Sequence, residues 1–369
     1  TTVIANLGVG LNVFEWTVSN GPCANGLTSD TVSIFLFDAN NANADAGPDQ
    51  EFCTPVSSTT LAGSAVTFPS TGQWTIVSGT GVIADASDPN SAISGLIVGE
   101  VVLQWTVSNG PCANASTSDQ VSIFLFDDAN PVADAGPDQS NCTPDDFMTM
   151  AGSSVTFPAS GTWTLVNGTG TIADPSDPAT MIFDLTVGEN VFAWTVSNGP
   201  CTNGITSDTV SLFLFDATNP IANAGNDQEI CTPQDSAFIS GSNVIFPATG
   251  TWSVISGSGS FNDANASNTT VTGLSLGPNT FQWTVDNGPC ESGISYDQLT
   301  ITLFDSGNPI ADAGPDQSLC TPDTTTTMAG SAIISPAVGT WTLVNGTGDI
   351  TDPSDPNTAI TGLTIGENI

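Results

Sequence analysis

Lysine, arginine and histidine are all absent from this sequence of 369 residues, which carries 37 aspartates and glutamates and a formal charge of -37. Ordinary domains are about 25% charged with both signs present, so the missing bases point to a constraint acting on the whole chain. Without cations there is no counterion-release term for nucleic acid and no attraction to anionic lipid. Nucleic acid is therefore not expected as a partner. The absence of histidine and lysine also removes the commonest general bases, Schiff-base chemistry and imidazole metal sites, so no catalytic residue is expected and the chain reads as a non-enzyme.

Two further absences narrow the class. No run of eighteen apolar residues occurs, so direct membrane insertion is not expected. The N-terminus lacks the basic and apolar regions of a signal peptide, and both ends read as cuts through a longer chain. What is present argues for folding and against acidic disorder: 39% hydrophobic residues, eight tryptophans and eighteen phenylalanines supply material for cores.

A repeat organises the sequence. The octapeptide Trp16-Thr17-Val18-Ser19-Asn20-Gly21-Pro22-Cys23 returns from Trp105 and Trp194, and with one change from Trp283, each step being 89 residues. Ala46-Gly47-Pro48-Asp49-Gln50 returns at the same interval from Ala135, Ala224 and Ala313, with Asn226 replacing the proline in one copy. A period of this length matches one small domain per repeat and not a solenoid turn. The expected organisation is a partial repeat at 1–39, complete repeats at 40–128, 129–217 and 218–306, and a partial repeat at 307–369. The linker Asp127-Asp128-Ala129-Asn130-Pro131 is too short for free tumbling, so a semi-rigid rod is expected.

Within residues 40–128, short β-branched and aromatic runs are separated by Gly, Pro, Asn, Asp and Ser clusters, with no helical period. The pattern predicts strands at 43–47, 58–63, 72–78, 91–96, 100–108 and 119–126, with a short one at 81–84. The fold class is all-β: a tandem array of immunoglobulin-like or PKD-like antiparallel β-sandwiches of ~89 residues. In 119–126, Val121, Ile123 and Leu125 form an aliphatic face, while Phe124 and Phe126 on the other face point to the domain junction. Trp74, Trp105, Trp163, Trp194, Trp252 and Trp283 are assigned to core packing.

Cysteines occur at 23, 53, 112, 142, 201, 231, 290 and 320, two per period and never as Cys-x-x-Cys, which is disulfide spacing. They place the chain in an oxidising, extracellular or cell-surface setting. The expected pairing is within repeats, Cys53–Cys112, Cys142–Cys201 and Cys231–Cys290, with Cys23 and Cys320 paired outside the sequence. Closing such a loop of about 60 residues is worth about 4 kcal/mol in the chain-entropy model. One difficulty leaves an alternative open. Cys53 follows the first predicted strand and Cys112 the sixth, so their turns can lie at opposite ends, and Cys53 would then reach Cys201 of the next repeat.

Several of these features together, the Ala44-Asp45-Ala46-Gly47-Pro48-Asp49-Gln50 opening, the cysteine after it, Gly72-x-Trp74, and the ending Trp105…Asn109-Gly110-x-Cys112…Ser118-Asp119, resemble the PKD-like repeats of Bacteroidota surface proteins. The likeness extends to the gliding-motility adhesins of the SprB type, and it covers the whole chain. It implies export by type IX secretion and a stalk or filament shaft used in attachment, gliding or capture of prey. The rival readings are a multivalent array binding surface glycans, with Phe14, Phe35 and Phe37 and their copies as contacts, and a spacer beside a catalytic domain outside this sequence. A homo-oligomeric bundle or filament is a further candidate assembly. The total absence of bases is not a feature of that family.

The candidate metal site is acidic and lies at the junctions: Asp127, Asp128, Asn130, Asp134 and Asp138, matched by Asp38, Asn41, Asp45 and Asp49. Calcium takes six to eight oxygens, and these side chains offer several, although no spacing matches a full calcium loop. Asp and Asn are also turn residues that satisfy their own backbone. The paired carboxylates Asp85 and Asp88, repeated at Asp174 and Asp177 and at Asp352 and Asp355, read as turns for the same reason.

Overall fold

The computed structural model describes residues 2–130, 132–219, 221–308 and 310–369. Pro131, the last residue of the expected linker, lies outside the described residues. All regular structure among the described residues is β. The N-terminal part forms a hairpin of β1 (Gly10–Ser19) and β2 (Leu27–Leu36). The first complete repeat contributes β3 (Gln50–Cys53), β4 (Ser58–Thr60), β5 (Thr71–Ser78), β6 (Val82–Ile83), β7 (Ala92–Ser94), β8 (Gly99–Ser108) and β9 (Ser116–Phe126).

Two sheets form, one of four strands in the order β3-β9-β8-β5 and one of three in the order β4-β7-β6. The same two orders recur for the strands of 129–217 and of 218–306. The core between the two sheets of the first complete repeat contains Trp74, Leu103, Trp105, Val121, Ile123 and Leu125 from the larger and Ile93 from the smaller. The alternation of β9 is therefore as the sequence reads. Val121, Ile123 and Leu125 are almost wholly buried, while Phe124 and Phe126 join a separate cluster at the end of the sandwich.

Trp74 and Trp105 sit opposite each other on β5 and β8, with ring centroids 5.0 Å apart. Trp163–Trp194 and Trp252–Trp283 repeat that geometry. The Trp105 indole donates to the Ser64 carbonyl at 3.1 Å, so the polar edge of a buried ring is satisfied. The Gly72-x-Trp74 motif follows from this packing. Trp105 lies flat on the Gly72 backbone, and a β-carbon there would run into the ring.

The structure corrects one predicted strand. Residues 43–47 form no strand; Ala44 N–H donates to Thr117 Oγ1 at 2.8 Å and Ala46 N–H to Asp119 Oδ2 at 2.9 Å, while the Asp45 carbonyl accepts from the Ser64 amide at 2.8 Å. Side chains of β9 thus replace a backbone ladder. The first true strand of the repeat is β3, beginning three residues after that segment ends and pairing in parallel with β9 from Gln50↔Ile123 to Cys53↔Phe126. Its sequence, Gln-Glu-Phe-Cys, is too short and polar to announce a strand.

The chain divides into two compact units, one of Thr1–Asp138, Met148–Phe183 and Val191–Ser211, the other of Gln139–Phe147, Asp184–Asn190 and Leu212–Ile369. The division falls inside 129–217. Cys53 is bonded to Cys201 and Cys142 to Cys290, so one part of that repeat is tied to the preceding repeat and another part to the following one.

Candidate functional site at the repeat junctions

The residues that the sequence marks most strongly meet where one repeat ends and the next begins. The disulfides lie there, and they overturn the pairing Cys53–Cys112, Cys142–Cys201 and Cys231–Cys290. Cys53 joins Cys201 and Cys142 joins Cys290, each across 148 residues and with α-carbons 5.2 Å apart. The physical reason is the parallel β3–β9 pair. It carries Cys53 to the end of the sandwich where β9 leaves, beside the following repeat, whereas Cys112 sits in the β8–β9 turn at the other end. Among the described residues, Cys23, Cys112, Cys231 and Cys320 form no disulfide.

Around the Cys53–Cys201 bond the junction is apolar. Phe126, Ala159 and Cys201 form a buried cluster, with Cys53, Phe124 and Val155 against it. Gly199, in the Asn-Gly-Pro-Cys motif, has φ +52°, and a β-carbon on it would come within 2.6 Å of the Phe126 ring. Both its backbone conformation and the ring above it therefore require glycine. Phe37 over Gly110 and Phe215 over Gly288 repeat the arrangement.

A polar lock lies beside it. Asn198 is 1% exposed; its Nδ2 donates to the Asp127 carbonyl at 2.9 Å, and its Oδ1 accepts from Asn130 Nδ2 at 3.1 Å. Asn130 in turn accepts from the Thr156 amide at 2.9 Å. Asn109 with Asn41 and Asn287 with Asn219 make the same contacts at the other junctions. A buried amide so satisfied fixes one orientation, because losing either partner strands a buried polar group. The sequence singled out Asn41 and Asn130 as calcium oxygens. Their burial and these bonds assign them to the lock instead, and the Asn109 series, visible only as part of a marker motif, was not recognised as functional.

The acidic candidates serve turns. The Oδ1 atoms of Asp38, Asp45, Asp127 and Asp134 each accept from the amide two residues on, that of Asn40, Gly47, Ala129 and Gly136 respectively, at 2.8 to 2.9 Å. Asp49 accepts from the Ser122 amide and Asp138 from the Ser211 amide, both at 2.8 Å, which fastens the approach to the first strand onto the last. Asp128 accepts from the Thr202 amide at 3.3 Å. Among the described residues, one group of three potential ligands converges, Cys53, Asp128 and Cys201. Its two sulfurs are bonded to each other and are not thiolate ligands.

The Asp85 loop is also a turn. Ser87 donates through its amide and its hydroxyl to Asp85 Oδ1, at 2.9 and 2.7 Å, and the hydroxyl bond is the larger cause holding that carboxyl below the usual aspartate range. Asp174 with Ser176 and Asp352 with Ser354 are the same, as is Asp216 with Thr218. A lowered value keeps these groups ionised, the reverse of what a general acid needs.

Several of the proposed glycan contacts are drawn into packing, although Phe35 is 50% exposed. Phe192 and Phe281, at the Phe14 position, are fully buried, Phe126 is 7% exposed at the junction, and Phe35 and Phe213 pack edge-on to Phe68 and Phe246. The fourth junction lacks both members of the last pair, with Thr302 and Ser335 at those positions.

No family model matches the sequence. It is 25% identical over 356 residues to the human Dyslexia-associated protein KIAA0319, covering 90% of this chain and 33% of that protein. The mouse homolog is 25% identical over 362 residues, with 90% and 32% covered. The chain thus spans about a third of the length of the curated relatives it matches. Among solved structures, the PKD domain of human KIAA0319 aligns at 18% identity and a TM-score of 0.20, over 26% of this chain and 87% of that one. The I-band fragment of titin aligns at 12% identity and a TM-score of 0.33, over 70% and 97%. The repeats are immunoglobulin-like and PKD-like β-sandwiches. Their disulfides fit an oxidising, extracellular setting.

Proposed function

We propose that this chain is a structural section, a stalk or filament shaft, of a large extracellular surface protein of the gliding-adhesin kind, holding a binding region outside the sequence away from the cell. The observation that carries the reading is the disulfide across each of two junctions, beside a buried asparagine lock and a phenylalanine seated on glycine. Junctions closed in this way, with repeat length unvaried at 89 residues, favour a spacer of set dimensions over a string of independent binding modules.

The charge of -37 fits an exposed role, since it keeps the array soluble. The multivalent glycan-binding reading retains Phe68, Phe157 and Phe246, which are 60%, 59% and 59% exposed. Immunogold electron microscopy of intact cells with an antibody to residues 40–128 tests the proposal. Regularly spaced label along structures projecting from the surface is expected. Label confined to the cell interior, or soluble repeats that bind surface glycans with an avidity rising with repeat number, would refute it.

A further inference from the structure

We infer that the disulfides of this array are its tensile members, carrying a pull along the chain and relieving of it most of the backbone between Cys53 and Cys290. The inference concerns the mechanics of the chain itself and holds wherever on a cell the protein sits.

The argument is covalent topology. The two bonds overlap in sequence, in the order Cys53, Cys142, Cys201, Cys290. Along the backbone about 240 residues separate Cys53 from Cys290, about 800 Å at full extension. Through the two disulfides the taut path is only the stretch between Cys142 and Cys201, about 60 residues or about 200 Å. Residues 54–141 and 202–289 lie off that path. They hold both tryptophans and most other members of the Trp74–Trp105 and Trp252–Trp283 cores, with Ala46 of the first and Leu299, Ile301 and Leu303 of the second left on the path, so opening the off-path part of either core would yield little extra length.

Bonds closed within repeats would do something different. Each would shorten its own repeat and leave every junction hanging on backbone alone. The observed bonds bridge the junctions, which are the places where a tandem array has least buried apolar surface to resist separation.

The same spacing gives the design a period. Cys201 precedes Cys231 by 30 residues, as Cys112 precedes Cys142 and Cys290 precedes Cys320. Continued over a longer array at the spacing seen here, a taut line would run through a disulfide, a 30-residue segment and the next disulfide. It would advance two repeats for each such segment, about 100 Å of backbone. Two such lines would cross every repeat. In residues 40–128 one would follow β3 and the other β9, the adjacent strands that run parallel. Parallel pairing is what two lines advancing in one direction require, and it is the pairing that the sequence did not announce.

Single-molecule stretching of the 369-residue chain, held by cysteine-free tags at its ends, tests this with the Cys53→Ser/Cys201→Ser and Cys142→Ser/Cys290→Ser double variants. The intact oxidised chain is expected to reach about 650 Å and the reduced chain about 1,250 Å. Each double variant retains one bond across 148 residues and is expected to stop at about 750 Å. Bonds closed within repeats would let either variant reach about 1,050 Å. A limit below about 900 Å in both variants supports the inference, and a limit above it in either overturns it.

Discussion

The octapeptide that begins at Trp16 and the one that begins at Trp105 are identical, yet Trp16 is 74% exposed and Trp105 is fully buried. Both sit in hairpins of one register, Trp16 opposite Asp30 and Trp105 opposite Asp119. The hairpin is thus a local property of its sequence. Burial comes from the rest of the repeat, which residues 1–39 do not contain. The C-terminal part supplies the converse. Thr326–Thr327, Ala359–Thr361 and Asp349–Ile350 form the small sheet as β4, β7 and β6 do, but no strand forms around Trp341, the counterpart of Trp74. In the complete repeat the strand of Trp74 is held by β8 opposite it, and among the described residues no such partner strand lies beside Trp341.

Matched substitutions in the two copies of the octapeptide sharpen this contrast. The largest effect is expected at the cysteines. Cys53→Ser with Cys201→Ser removes a loop constraint worth about 5 kcal/mol in the chain-entropy limit, while Cys23→Ser is expected to change stability by less than about 0.5 kcal/mol. Guanidinium unfolding of both under oxidising conditions makes the comparison. Next comes Trp105→Ala, expected to destabilise its sandwich by about 4 kcal/mol through lost burial and the cavity left behind. Trp16→Ala should leave the tryptophan fluorescence transition within about 0.5 kcal/mol of the parent; equal losses at the two positions would break the contrast.

Asn198→Ala strands the Asp127 carbonyl and the Asn130 amide in a buried junction and is expected to cost about 2 kcal/mol. Asn20→Ala, at an exposed position, should cost nothing measurable by the same denaturation. The smallest effect concerns acid. Asp85 titrates below its ordinary value in the folded chain because the Ser87 hydroxyl donates to it. Its contribution is therefore present above the unfolded value and lost as the pH falls through the folded one. Ser87→Ala should bring the Asp85 titration, followed by carboxyl NMR, upward toward 3.8, with the tryptophan cores unaffected.

Much of the fold is legible in the sequence, because a period of 89 with no insertion exposes strand runs, turns and tryptophan positions several times over. The β8–β9 hairpin and the alternation of Val121, Ile123 and Leu125 follow directly from pattern. What is not legible depends on partners distant in sequence. β3 exists as a strand because β9 lies beside it, and residues 43–47 are denied one because Thr117 and Asp119 take their amides. The site follows the same rule. Spacing identifies the cysteines as disulfide formers, but their connectivity turns on which end of the sandwich each reaches, and that depends on the parallel pair. Asn109, Asn198 and Asn287 carry no sign in the sequence that the end of the preceding repeat buries them.

Peptide mapping of the oxidised, unreduced protein by mass spectrometry tests the inter-repeat bonding most directly, after digestion with chymotrypsin and an aspartate-specific protease since tryptic sites are absent. Linked peptides joining Cys53 to Cys201 and Cys142 to Cys290 are the expected result. Peptides joining Cys53 to Cys112 and Cys142 to Cys201 would contradict the covalent bridging of the junctions.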